Sequence, residues 1–338
     1  MNTKYPERYE LPICDTPSVT TNFIGLQYSV FEAYSRDLTP ILINHYINVS
    51  MGLDTRCDYS HIYDDNWLEK EKVMHRHHIT WHESVFKNDR EKLIKPLLGF
   101  IVNGYYICGN FNAFYISEKK AYKCYDTNTA YLLYGYDLEE KSFLAVGNTK
   151  RGVFEKYKIS FDEYADSVLG RTDGYFNWNI VKFNENFDIK PNLKRVYNGI
   201  LDYINGENVS FGRKALSHQG YGIECYRKLL RYLRVQDDYR STLDAIGYQT
   251  LLDHHVLMQK RIEYLLNCNI ITDKSLASEY KKICELSSRI YENHIKYNQS
   301  GEAYLIRDIR ADAEEILDRE PNILNRVLEE IKIYFAVK

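Results

Sequence analysis

Four of the ten histidines of the chain fall within eight residues, at His75, His77, His78 and His82. Imidazole nitrogens are common zinc ligands, and two histidines four residues apart share one face of a helix. The intervening Ile79–Trp81 is instead typical of a strand, in which this helical pairing fails. We therefore predict a solvated or partner-facing segment rather than a metal centre, with His78 and His82 as candidate binding residues.

The cysteines and the adjacent pair of histidines are predicted to form neither a reactive site nor a metal site. Seven cysteines are scattered without C-x-x-C spacing, which is typical of reduced thiols. Cys108 lies in an apolar run and is predicted to be a core thiol, whereas Cys124 lies in a more exposed context. Because adjacent helical residues face different directions, we predict that one of His254 and His255 is packed and the other exposed. No metal and no cofactor is expected.

The elements that position these residues are clearest in residues 121–163. Alternating apolar residues predict a strand at Tyr131–Asp137, followed after an acidic turn by Ser142–Val146 and after a polar turn by Val153–Ile159. Ser160 and Glu163 have the spacing of a capping box, which starts a helix at Phe161.

Further elements flank this stretch. Apolar periodicity predicts a helix at Phe23–Arg36. Strands are predicted at Gly99–Cys108 and Ala113–Ser117, joined by a turn at Gly109–Asn112, and at Tyr175–Phe183.

The second half of the chain is predicted to be helical. Pro191 in the first turn and Gly206 past the end bound a helix at Asn192–Asn205. From Gly220 onward the pattern is essentially all helical, with breaks at Asn298–Gly301 and Arg319–Pro321. We predict the α+β class, with an antiparallel sheet domain and its N-terminal helix in residues 1–188 and an all-α domain in residues 189–338.

Composition and charge exclude several classes of protein. With 44% hydrophobic and 27% charged residues, the chain of 338 residues is typical of a soluble globular protein. A net charge of −3 offers no electrostatic basis for nucleic-acid binding. No apolar run approaches the roughly 20 residues that span a bilayer, and the polar N-terminus lacks a secretory signal. We expect a cytoplasmic protein with no membrane contact.

Several short motifs carry a resemblance to a known family. Gly25-x-Gln27-x-Ser29, Tyr134–Asp137 and Ile159–Glu163 resemble the family of butirosin biosynthesis protein H, as does a helical signature from Tyr221 to Leu265. These bacterial papain-like proteins occur with nonribosomal peptide and related natural-product pathways, and the amide synthase of closthioamide assembly is similar. The resemblance covers roughly residues 20–270. It implies a papain-like sheet domain in residues 1–188.

The resemblance implies acyl transfer from the phosphopantetheine thioester of a carrier protein to an amine. That chemistry needs a thiolate at a helix N-terminus, an imidazole that activates it and a polar group that orients the imidazole. Carried over by position, the nucleophile falls on Gly25, the histidine on Thr129 and the orienting group on Asn148. Gln27 falls near the place of an oxyanion donor. Two of the three catalytic groups are therefore absent.

Three hypotheses follow from this absence. The first is a degenerate acyltransferase homologue that binds an acyl or peptidyl carrier protein without a Cys–His pair, with Tyr131 and Tyr134 as candidate binding residues. The second is an active amide synthase that works by positioning, with Gln27 or Asn148 stabilising the oxyanion. The third is a non-catalytic scaffold whose helical half forms a homodimer.

Overall fold

The computed structural model describes residues 5–15, 22–34, 39–51, 59–62, 73–86, 89–170, 175–186, 190–210, 220–236 and 245–337. Its strands are β1 (Arg8–Glu10), β2 (Asn48–Met51), β3 (Tyr59–Ile62), β4 (Met74–His82), β5 (Tyr106–Asn112), β6 (Asn128–Asp137), β7 (Ser142–Asn148), β8 (Phe154–Ser160), β9 (Tyr175–Phe183) and β10 (Gly220–Tyr221). Its α-helices are α1 (Asn22–Ala33), α2 (Thr39–Asn44), α3 (Arg90–Val102), α4 (Phe161–Leu169), α5 (Leu193–Asn205), α6 (Glu224–Gln236), α7 (Ala245–Asn267), α8 (Ser275–Ser300) and α9 (Ala303–Val337).

The chain forms two compact units. The sheet unit holds the described residues up to 34 and those from 73 to 186, and the helical unit holds 39–51, 59–62 and those from 190 onward. The helical unit thus contains residues from the first half of the chain, 37–65, in addition to residues 189–338. Antiparallel sheet and a helical C-terminal region together make the protein α+β. Among the described residues, no helix combines the length and apolar character that crossing a bilayer requires.

The sheet unit is built on one antiparallel sheet with the strand order β4-β9-β5-β6-β7-β8. The strand β1 also pairs with β6, at Gly135–Asp137. The predicted succession of three strands and a capped helix in residues 121–163 is confirmed. The Ser160 side chain accepts from the Glu163 amide at 3.1 Å, and Glu163 accepts from the Ser160 amide at 3.0 Å. This capping box fixes where β8 ends and α4 begins.

The prediction of a turn at Gly109–Asn112 is wrong, because β5 runs straight through it. Tyr131 and Trp178 lie opposite Gly109 on the two neighbouring strands. A Cβ atom at Gly109 would lie 2.9 Å from the Tyr131 hydroxyl and 2.8 Å from the Asn177 carbonyl oxygen. The glycine therefore serves a close approach of side chain and backbone, not a turn.

Two other predicted strand boundaries are also wrong. The helix α3 runs on to Val102, so that the strand predicted from Gly99 begins only at Tyr106. In place of the strand predicted at Ala113–Ser117, a 3-10 turn covers Ala113–Tyr115. Asn112 starts that turn by accepting from the Phe114 amide at 3.0 Å. This local side-chain bond competes with the ladder of a strand.

The helical unit is organised around a core shared by α5 to α9. It also contains a small sheet in the order β10-β2-β3, which the predicted all-α domain did not include. The helix α5 begins after Asn192, which accepts from the Arg195 amide at 3.0 Å, so Pro191 precedes the cap rather than opening the first turn. It ends at Gly206 with a φ of 69°, as predicted.

Two further predictions about the helical unit are wrong. The helix α9 continues through Pro321 where a break was predicted. A proline inside a helix removes one backbone hydrogen bond, and α9 continues past this single missing bond. His254 and His255 are both fully buried, whereas one was predicted to be exposed. The surrounding helices close over both faces of α7, which its own periodicity does not reveal.

Candidate functional site

The first turns of α1, the start of β6 and the end of β7 meet at one corner of the sheet. The helix α1 packs on β6 and β7. A Cβ atom at Gly147 would lie 3.8 Å from Leu26 Cδ2 and 3.9 Å from the Ala130 carbonyl oxygen. We call this region, formed by residues 25–27, 129–130 and 147–148, the corner site. Leu26, Ala130 and Gly147 are the chain neighbours of three positions assigned from the resemblance, Gly25, Thr129 and Asn148, and Gln27 lies on the same helical turn.

The corner site holds neither a thiol nor an imidazole among its described residues. Gly25 is buried and has no side chain, and Thr129, which pairs with Phe111 across the sheet, offers a hydroxyl. A threonine hydroxyl is not a base near neutral pH. Gln27 is 9% exposed, so it lies inside the packing of α1 rather than open to solvent. Thioester exchange through a cysteine therefore has no thiol at these positions.

A buried lysine lies at the corner site. Lys119, only 6% exposed, donates from Nζ to the carbonyl oxygen of Asn148. Its ammonium lies 4.5 Å from the centre of the Tyr157 ring and 5.7 Å from that of Phe111, the strand partner of Thr129. Burial lowers the pKa of Lys119 to about 8, against a smaller opposing effect of Glu118. The amine thus lies next to the positions assigned to the histidine and to its orienting group.

The second polar group at the corner site is the hydroxyl of Tyr157. It lies 3.8 Å from the point where a Cβ of Gly147 would stand. It is buried and has no hydrogen-bond partner among the described residues, and burial raises the pKa of Tyr157 far above its ordinary value. Buried hydroxyls without partners are uncommon, and a bound ligand can satisfy them.

Sequence reasoning missed both Lys119 and Tyr157. Lys119 lies in a polar run, Ser117-Glu118-Lys119-Lys120, in which nothing distinguishes a buried amine from an exposed one. The alternation of β8 places Tyr157 on its buried face, but no pattern shows that its hydroxyl lacks a partner.

The described thiols of the sheet unit lie outside the corner site. Cys108 is in the middle of β5, and burial raises its pKa to about 12, with Arg76 opposing weakly. Cys14 lies along the flank of α1, where its amide donates to the Ser29 carbonyl and its sulfur lies 3.9 Å from a Glu32 carboxylate oxygen. Cys124 is exposed. None of these three thiols is hydrogen-bonded to an imidazole of the described residues.

The histidines of β4 lie on a strand, as predicted, and away from the corner site. His78 and His82 share one face of β4 about 13 Å apart, too far to hold one ion. His78 bonds with Asn179 at 2.9 Å and with Thr80 at 3.2 Å, and His82 bonds with Ser84 at 2.8 Å. Two strands, β9 and β5, separate β4 from β6.

His78 lines an open groove of about 810 Å³ beside β4. The lining includes Arg76, His77 and Lys182, and it contains no carboxylate among its described members. Lys182 donates to the Asn103 carbonyl at 3.1 Å. The binding role assigned to His78 remains a prediction, and this groove is where it would act.

Tyr131 and Tyr134 are both almost completely buried. The Tyr131 hydroxyl lies 2.8 Å from that of Tyr164, and its ring stacks on Phe111 at 4.8 Å. Trp178 donates to the same Tyr164 hydroxyl at 3.1 Å. The side chain of Tyr131 is therefore part of the packing between β6 and α4. The Tyr134 ring lies 5.8 Å from the Lys156 ammonium, and burial raises the pKa of Tyr134 to about 12.

Comparison with known proteins gives no assignment. No protein-family model matches the chain, and no curated protein matches it.

Proposed function

We propose that this protein is a papain-like homologue of the butirosin biosynthesis protein H family. In this proposal it binds an acyl or peptidyl group, tethered to the phosphopantetheine of a carrier protein, without a Cys–His pair. The observation that carries the proposal is the meeting of α1, β6 and β7 at the corner site. Leu26 of α1, Ala130 of β6 and Gly147 of β7 come together there, and each is the chain neighbour of one assigned position, Gly25, Thr129 or Asn148.

The groups that remain at the corner site suit binding rather than covalent catalysis. Acyl transfer through an enzyme thioester requires a thiolate and a base that activates it. The corner site offers instead the ammonium of Lys119 and the unpartnered hydroxyl of Tyr157. Both groups can donate a hydrogen bond to the carbonyl oxygen of a thioester or an amide. A hydrogen bond from a charged donor such as Lys119 is stronger than one between neutral groups.

A titration with an unreactive analogue tests binding. The probe is a carrier protein loaded with an acyl group through an amide in place of the thioester, and calorimetry measures the dissociation constant. We expect a measurable complex with the wild-type chain. Lys119→Met should weaken it about 10-fold and Tyr157→Phe about fivefold, because each removes one donor.

Lys120→Met is the matched control, since Lys120 is the exposed neighbour of Lys119 in the chain. It should leave the dissociation constant unchanged. Absence of binding by the wild-type chain, or equal losses in Lys119→Met and Lys120→Met, would remove the corner site from the proposal.

Lys119 also favours a second candidate, an active amide synthase that uses no cysteine. An amine with a pKa of about 8 is partly neutral near that pH and can accept a proton. In such a reaction a substrate amine attacks the thioester carbonyl and gives its proton to Lys119. The C–N bond forms, the C–S bond breaks and the pantetheine thiol leaves with a proton.

The two candidates differ in the rate of amide formation. An active synthase would form amide from the loaded carrier protein faster than the uncatalysed aminolysis, and Lys119→Met would abolish that excess. A binding protein would give the uncatalysed rate with both chains.

A further inference from the structure

Two histidines and a glutamate converge inside the helical unit. His254 and His255 lie on α7 and Glu320 on α9, and all three side chains are fully buried. One ligand atom from each lies within 4.8 Å of the others. The proposed chemistry of the corner site uses none of them.

The carboxylate of Glu320 is oriented by two tyrosines. Tyr203 donates to one carboxylate oxygen at 2.7 Å and Tyr280 donates to the other at 2.5 Å. These tyrosines come from α5 and α8, so that three helices fix the position of one buried carboxylate. Hydrogen bonds from neighbouring side chains that hold a carboxylate in place are typical of metal ligands.

The buried carboxylate also needs a positive charge. A carboxylate in a protein core is costly unless a cation accompanies it. Among the described residues, Glu320 pairs with no lysine or arginine; the basic side chain that faces it is His255, with Nε2 at 3.6 Å from Oε1. That distance is too long for a hydrogen bond. It is close to the roughly 3.4 Å that separates two ligands of one tetrahedral zinc ion.

We propose that His254, His255 and Glu320 bind one divalent transition-metal ion, with zinc as the expected ion. Two imidazoles and one carboxylate suit zinc or iron(II), whereas calcium and magnesium prefer oxygen ligands only. The ion links α7 to α9 and supplies the missing positive charge. Because the group lies wholly inside the unit, its role is structural.

The local geometry allows neighbouring histidines to serve one ion here. Their rings point in different directions, with centres 5.1 Å apart and planes at 72°, so they approach a common point from different sides. A ligand spread of up to 4.8 Å must close by about 1.4 Å to reach the separation that bonds of about 2.1 Å give in a tetrahedral site. The hydroxyl of Tyr226, 3.3 Å from His255 Nε2, is a further oxygen within the group.

Metal analysis of the untagged full chain tests the proposal. We expect about one equivalent of zinc after purification without chelators, or after dialysis against zinc chloride. Removal of the ion with a chelator should lower the thermal midpoint by several degrees, because a ligand bound only by the folded state stabilises it. Cobalt(II) in place of zinc should give visible absorption bands. A chain that takes up neither ion, and whose midpoint does not respond to zinc, overturns the proposal.

Single substitutions assign the ligands. His255→Gln and Glu320→Gln should each lower bound zinc at least about 10-fold. His294→Gln is the matched control, because His294 is an equally buried histidine, on α8, stacked on Tyr248 at 4.4 Å. It should keep the metal.

The competing explanation is a proton shared between His255 and Glu320. It predicts no zinc uptake by the wild-type chain, and that result rejects the metal. Equal zinc content in wild type, His255→Gln and Glu320→Gln also rejects it. If the variants do not fold, zinc uptake and the cobalt spectrum of the wild-type chain still decide.

Discussion

At the scale of single residues, Lys119 is the group whose chemistry differs most from what its neighbours in the sequence suggest. Its ammonium is enclosed by two aromatic rings and a backbone carbonyl. Cation–π contacts and one hydrogen bond offset part of the cost of its burial. The lowered pKa of Lys119 reflects the part of this burial cost that the contacts do not offset.

The stability of the protein should therefore depend on pH through Lys119. Burial lowers its folded-state pKa to about 8 from an ordinary value of 10.5. Between these values the unfolded chain binds more protons than the folded chain, so stability rises with pH in that window. From about pH 7 to about pH 9.5, the wild type should gain about 2 kcal/mol relative to Lys119→Met. Urea unfolding of both chains at the two pH values measures this.

Lys120→Met provides the control for this titration. Lys120 is exposed, so the difference between wild type and Lys120→Met should stay constant over the same pH range. If the difference for Lys119→Met is equally constant, the amine of Lys119 is not buried as described.

At the scale of elements, the packing of β5 between β6 and β9 depends on Gly109. Gly109→Ala forces a Cβ atom to within 3 Å of the Tyr131 hydroxyl and the Asn177 carbonyl. The strands must separate or Tyr131 must leave Tyr164, and overpacking of this kind costs about 1–3 kcal/mol. Urea unfolding should show that loss.

Gly99→Ala is the control for the element-scale prediction. Among the described residues its Cβ would meet only the Tyr5 hydroxyl, at 3.4 Å, and Gly99 lies within α3, where alanine favours the helix. We expect a change within about 0.5 kcal/mol of wild type. A loss as large in Gly99→Ala as in Gly109→Ala would contradict the role given to Gly109.

The same elements show how far sequence reasoning reaches. Local signals were sufficient for β6 to β8 and for the capping box of Ser160, because alternation and capping act over a few residues. They failed at Gly109 and at Pro321, where contacts from distant residues override a local turn or break signal. At the corner site, the resemblance assigned Gly25, Thr129 and Asn148, but no sequence signal indicated Lys119, whose burial depends on packing that the sequence does not display.

At the scale of the whole molecule, the helical unit depends on a segment from the first half of the chain. The buried guanidinium of Arg261 donates to the carbonyls of Leu42, Ile43 and His45 at 2.8–3.0 Å. The strand β2 pairs with β10 as well. Removing the segment would take these three carbonyl acceptors away from a buried charge, which is strongly destabilising.

Residues 189–338 alone should therefore not fold. A chain in which a flexible linker joins residues 37–65 to residues 189–338, so that residues 66–188 are left out, should fold. Circular dichroism and urea unfolding compare the two chains. We expect a cooperative transition only in the chain that keeps residues 37–65. Cooperative folding of residues 189–338 by themselves would contradict this dependence.

The most direct test of the proposed function is the fate of a reactive acyl group at the corner site. The wild-type chain is mixed with an acyl-loaded carrier protein and an amine, and intact-protein mass spectrometry and product analysis follow the acyl group. We expect a complex with the carrier protein, no acyl adduct on the chain, and amide formed only at the uncatalysed rate. An acyl adduct on any cysteine, or amide formation faster than the uncatalysed aminolysis, would contradict a protein that binds the thioester without turning it over.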